Sequence, residues 1–104
     1  MTKQTDRITK MEGILDDARA KADAFEAALE AFRATREEVE ELAAYYEGDL
    51  WRRDFEDDED GKLPADLKRG VLSEDAIYDL LTDYRRLHEE MLDVVEAYLG
   101  PDGE

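Results

Sequence analysis

From Ile8 onward, apolar residues recur at alternating three- and four-residue intervals through Met11, Leu15, Ala18, Ala22, Phe25, Leu29, Phe32, Arg36, Val39, Ala43 and Tyr46. That spacing gathers side chains on one face of an α-helix, and a strand with its two-residue period cannot use it. Arg36 alone interrupts the seam, either snorkelling outward or pairing with an acid to fix register. Ile14, Ala28 and Leu42 widen the stripe, while Asp, Glu, Lys and Arg fill the opposite face. The pattern predicts one helix over residues 6–46, about 60 Å long at ~1.5 Å per residue, capped by Thr5 or Asp6. Gly13 costs roughly 1 kcal/mol relative to Ala, and a frayed end is where that matters least.

A second stripe, Ile77, Leu80, Leu81, Tyr84, Leu87, Met91, Val94, Val95 and Tyr98, predicts a helix over 73–99. Ser73 offers a capping hydroxyl, Glu74 and Asp75 suit the positive end of the dipole, Gly100 supplies a left-handed cap and Pro101 forbids continuation. Residues 100–104 form a short tail. The connector, 47–72, is longer than the roughly two to eight residues that ordinarily join antiparallel helices, so it requires structure of its own. Gly48-Asp49 reads as a stop followed by a cap. Leu50 to about Asp57 reads as a short helix presenting Trp51 and Phe55 on one face. Pro64 to Leu67 reads as a single helical turn, and Gly70 permits a reversal. Leu50, Trp51, Phe55, Leu63, Leu67, Val71 and Leu72 are the connector's apolar set, costly to leave in water.

These elements predict an all-α fold in a single domain, 1–104: a long antiparallel helical hairpin of 6–46 and 73–99, its tip closed by a partly helical connector. The first helix outruns the second by about 20 Å. The expectation is that both act in part: the connector folds back over the surplus stripe near the hairpin tip, and a second copy covers the free end in a homodimer resembling a four-helix bundle.

Charge narrows the choice of partner. The 104 residues carry 30 acids against 14 bases, a net −16, which repels nucleic-acid phosphates and anionic membranes alike. Neither direct nucleic-acid binding nor a membrane partner is expected. The segment 73–99, with eight acids and two bases, is the most one-sided. The absence of cysteine excludes disulfides, thiolate metal sites and cysteine nucleophiles. The start, MTKQTDRITK, has no apolar core of a leader, and the longest apolar run is Leu42–Tyr46. A cytoplasmic chain is the expectation.

Candidate chemistry is sparse. In the run Glu56-Asp57-Asp58-Glu59-Asp60-Gly61, placing Gly61 at position six of a calcium loop puts Pro64 at nine and Leu67 at twelve, where a bidentate acid is required. A regular EF-hand is rejected, and an irregular divalent-cation site is the weaker reading beside a solvated acidic turn. His88, the only histidine, lies at the edge of the second stripe. A di-iron bundle would need an acid three residues before it, where Arg85 stands. No nucleophile elbow, phosphate loop or metal spacing occurs. The sequence therefore predicts no enzyme, no catalytic residue, no metal ligand and no cofactor.

The strings Trp51-Arg52-Arg53-Asp54-Phe55, Asp58-Glu59-Asp60-Gly61-Lys62-Leu63-Pro64 and LKRGVLSEDAIYDLL (Leu67–Leu81), following Tyr45-Tyr46, resemble a bacterial family catalogued as domain of unknown function 4298. The resemblance extends over nearly the whole chain. It implies a small bacterial all-helical protein and supplies no activity, ligand or catalytic residue.

Tyr45, Tyr46, Trp51, Phe55, Tyr78 and Tyr84 gather around the connector with the basic pairs Arg52-Arg53 and Lys68-Arg69 and the acids Asp54, Glu74 and Asp75, and Tyr46, Trp51, Arg53, Phe55, Lys68, Arg69 and Tyr78 are the candidate interface residues among them. They read either as a second small core tied down by surface charge pairs, or as the anchor patch of an interface with an unidentified protein partner. The leading functional expectation is a non-enzymatic interaction or adaptor module. Its alternative is an acidic mimic that occupies a nucleic-acid-binding protein as a decoy.

Overall fold

The structure, a computed structural model, describes residues 2–100. Among them the chain is all-α: α1 Lys3–Arg33, α2 Arg36–Glu47, α3 Asp49–Glu59, a 3-10 turn Gly70–Leu72 and α4 Ala76–Leu99. The described residues fall into two compact units, divided between Glu37 and Glu38.

In the first unit, seven alanines between Ala18 and Ala31 give α1 strong intrinsic helicity. Exposed i,i+4 pairs add to it, Arg19 with Asp23 at 2.8 Å and Lys21 with Asp17. The helix begins earlier than the pattern predicts. Thr2 is the N-cap, accepting from the Thr5 backbone N–H at 3.1 Å, while the Thr5 hydroxyl answers the Thr2 N–H at 3.1 Å. This reciprocal box satisfies two orphan donors, so neither Thr5 nor Asp6 is the cap. Gly13 consequently lies inside the helix rather than at a frayed end.

The single helix expected over 6–46 is divided at Ala34-Thr35. The Thr35 N–H reaches back only three residues, to the Phe32 carbonyl at 3.1 Å, and the Thr35 hydroxyl donates to that same carbonyl at 2.6 Å. The hydroxyl competes for the acceptor and tightens the turn. Arg36, the break in the seam, opens α2 and is exposed.

In the second unit, α3 is longer than the expected 50–57, and the cap is Gly48 rather than Asp49, which is the first helical residue. A Cβ on Gly48 would stand 3.2 Å from the Ala44 carbonyl oxygen, a close approach that glycine relieves. Gly61, at φ +73°, turns the chain after α3. Pro64–Leu67 is one hydrogen-bonded turn (3.2 Å) rather than a helical one, and Gly70 opens the 3-10 turn. Ser73 then donates to the Gly70 carbonyl at 2.9 Å and accepts from the Ala76 N–H at 3.2 Å, so the expected hydroxyl cap forms although α4 starts at Ala76. Gly100 takes a positive φ of 85° with ψ 164°, an extended glycine-only conformation rather than a left-handed helical one. The expected stop at Pro101 lies outside the described residues.

Leu72 and Ile77, 6% and 2% exposed, are the buried residues among those described. They pin the 3-10 turn to the start of α4. Farther along α4, Leu81, Tyr84 and Met91 are half-buried, while Leu80, Leu87, Leu92, Val94, Val95 and Tyr98 are exposed.

Candidate functional site

The connector is held by a small set of directed contacts. Trp51 stacks on Phe55, one turn along α3, with ring centroids 5.2 Å apart and planes at 21°, and meets Tyr46 of α2 edge-on at 5.2 Å. Its indole Nε1 donates to the Val71 carbonyl at 2.9 Å, tying α3 to the 3-10 turn. Tyr45 donates its hydroxyl to Asp54 Oδ2 at 2.6 Å across the α2–α3 junction. Burial, then the hydrogen bond and the charge of Asp54, push the Tyr45 hydroxyl up to about 12.

Arg69 ties the rest. Its guanidinium pairs with Asp58 of α3, donates to the Pro64 carbonyl, and through Nε reaches the Leu67 carbonyl at 3.3 Å. The pair is partly withdrawn from water, with side chains 35% and 19% exposed, and the planar fork suits several fixed acceptors at once.

The seven sequence-predicted interface residues therefore divide. Tyr46, Trp51 and Phe55 come together as a half-buried aromatic stack, and Arg69 is the central tie of the connector. Arg53, Lys68 and Tyr78 remain exposed, Tyr78 to 59%. Tyr45 and Asp54 stand among the residues expected at the connector end, though not as a pair, and sequence reasoning missed Asp58 as the partner of Arg69.

The acidic run is the end of α3 and its following turn, not a loop wrapped around a centre. Asp58 faces Arg69, and the Lys62 ammonium lies 3.9 Å from both Asp57 and Asp60. Among the described residues no three His, Asp or Glu side chains are grouped to hold a metal ion. His88 is exposed on α4, its Nδ1 donating to the Tyr84 carbonyl at 2.7 Å and its ring 4.8 Å from that of Tyr84. No helix among the described residues is long and apolar enough to cross a membrane.

The largest exposed apolar feature of the first unit is α1 itself. Every residue from Lys3 to Ala28 is exposed, including Ile8, Met11, Ile14, Leu15 and Phe25 at 52–61%, while Leu29 and Phe32 are half-buried. Ile8, Met11, Ile14 and Leu15 fall on neighbouring turns, separated from Phe25 by Ala18 and Ala22, and clustered exposed apolar side chains mark interaction sites more often than scattered single ones do.

No curated protein and no solved structure matches the chain. A family model described as domain of unknown function (DUF4298) matches residues 8–94, which span most of α1, all of α2, the connector and most of α4. By that match, the chain belongs to the DUF4298 family.

Proposed function

We propose that this protein is a non-catalytic protein-interaction module whose working surface is the apolar stripe of α1, with the connector acting as an internal clasp. One observation carries the reading: α1 has no buried residue along 31 residues, yet it holds a heptad-spaced row of large apolar side chains. Leaving such a row in water forgoes the stabilisation that burial normally gives an amphipathic helix. Trp51 and Arg69, the strongest anchor types in the connector, are already committed to Val71, Phe55, Asp58 and Pro64. Arg53, Lys68 and Tyr78 are exposed and lie outside the α1 stripe, so they serve as controls for it.

The test is capture from a bacterial extract with wild-type and Leu15→Glu baits, because a charge placed in an apolar seam is strongly unfavourable. Proteins bound by the wild type should be lost with Leu15→Glu and retained with Arg53→Ala. Identical capture by wild type and Leu15→Glu overturns the assignment to α1.

A second reading is favoured by the distribution of charge. Residues 34–104 hold 23 acids and eight bases, whereas α1 holds seven and six, so nearly all of the excess lies beyond α1. Such a field suits a decoy for a nucleic-acid-binding protein. A decoy complex weakens steeply as salt rises through the range where the Debye length shrinks from about 10 to 3 Å, and an apolar α1 complex does not.

A further inference from the structure

Resting on the reading of α1 as the working surface, we infer that its partner is a second copy of the chain, paired parallel and in register as a two-stranded coiled coil. The argument starts from the seam. Ile8, Leu15, Ala22 and Leu29 occupy the a positions of the heptad, and Met11, Ala18, Phe25 and Phe32 the d positions, all on one unbroken helix. The e positions beside this seam are Glu12, Arg19, Glu26 and Arg33, and the g positions are Arg7, Ile14, Lys21 and Ala28. Charges at e and g set the orientation of paired helices.

In a parallel, in-register pair each g residue faces the e residue five positions later on the other copy. Arg7 then meets Glu12 and Lys21 meets Glu26, each twice by symmetry, while Ile14–Arg19 and Ala28–Arg33 bring no like charges together. An antiparallel pair with full overlap of the stripe sets e against e and g against g. Glu12 would face Glu26, Arg19 would face Arg19 and Lys21 would face Lys21, so every charged contact is repulsive. Sliding the antiparallel pair by one heptad relieves this but leaves a heptad of stripe uncovered on each copy.

The flanking charges are available for such pairing. Arg19 bonds Asp23 and Lys21 bonds Asp17 within the helix, with side chains 68% and 75% exposed. A lysine ammonium has three donors, so Lys21 can hold Asp17 and still reach across. Gly13 falls at an outward f position, where no Cβ is needed for contact. The helix is also the segment least opposed to self-association, since its net charge is −1 against −15 for residues 34–104. Ile8, Met11, Ile14, Leu15 and Phe25, each roughly half exposed, offer about 100 Å² apiece. With the alanines and charged stems, two copies bury on the order of 1,200 Å², the lower end of stable interfaces. Two alanines at the centre of the seam keep the affinity modest, and dissociation in the micromolar range is expected.

The test uses the full chain and its lack of cysteine. Gln4, exposed at a d position, is replaced in Gln4→Cys, and sedimentation equilibrium is run on the unmodified chain alongside. Expected are a concentration-dependent dimer and rapid oxidation of Gln4→Cys to a linked dimer, because in-register d positions bring equivalent residues within disulfide reach. Glu12→Lys with Glu26→Lys should weaken the dimer at least about tenfold by setting like charges across the seam, and adding Arg7→Glu with Lys21→Glu should restore it. A monomer at all concentrations overturns the inference. So does a dimer in which Gln4→Cys fails to link or the four-fold charge exchange fails to rescue. If Leu15-dependent capture finds only a different protein, self-pairing is refuted while the α1 reading stands.

Discussion

Replacing Trp51 separates a connector that is a structural clasp from one that is a docking patch. A fully buried tryptophan truncated to alanine costs about 3–5 kcal/mol. Trp51 is half-buried, so its area and its two ring contacts, with Phe55 and Tyr46, amount to roughly 2 kcal/mol. Loss of the Nε1–Val71 bond adds about 1 kcal/mol, the net worth of an ordinary hydrogen bond, since the exposed Val71 carbonyl is rehydrated. Trp51→Ala should therefore destabilise the fold by about 3 kcal/mol, and Trp51→Phe, which keeps a ring but no donor, by roughly 1 kcal/mol. Urea unfolding followed by far-ultraviolet circular dichroism measures both, read as a lowered midpoint at similar slope. With Leu72 and Ile77 as the buried pair, a loss of that size consumes much of the stability of a domain near the ~5 kcal/mol end of the usual range. A Trp51→Ala variant within about 0.5 kcal/mol of wild type would refute the clasp, because that is the behaviour of a surface side chain.

Arg69→Ala should cost about 2 kcal/mol in the same assay, since it strands the partly buried Asp58 carboxylate, and Asp58→Asn in the Arg69→Ala background should add little. Tyr45, raised from 10.0 to about 12, holds its proton more tightly folded than unfolded; its stabilising contribution is complete below pH 10 and fades as pH rises towards 12. Alkaline titration of tyrosinate absorbance should show one tyrosine ionising late, and Asp54→Asn should bring that step down. Gly13→Ala, with nothing within 4 Å of the added Cβ, should raise stability of α1 by up to about 1 kcal/mol, seen as increased helicity.

The two apolar stripes were legible because helical burial imposes a period on sequence, and both stripes lie on helices. The break at Ala34-Thr35 escaped the same reading: the three-four rhythm continues in phase across it, from Phe32 to Val39. Its local signal is Thr35-Arg36-Glu37-Glu38, the spacing of a capping box. Thr2 and Thr5 likewise signalled an earlier start to α1. The connector's aromatic face on α3 followed from i,i+4 spacing, and the Ser73 hydroxyl from capping preference. Its ties did not, because Arg69 to Asp58 and Tyr45 to Asp54 depend on the path of the chain through Gly48, Gly61 and the Pro64 turn. No periodicity encodes such a path. The seven predicted interface residues illustrate the same limit: type alone selected Trp51 and Arg69, and only their partners reveal the internal work they perform.

Hydrogen exchange of the α1 amides, measured on the full chain at concentrations spanning the dimer's dissociation constant, tests self-pairing along α1 most directly. Protection of residues 8–28 should rise with concentration, while that of the α3, 3-10 turn and early α4 amides stays constant, because the clasp is internal to each copy. Protection of α1 that is independent of concentration would contradict the pairing.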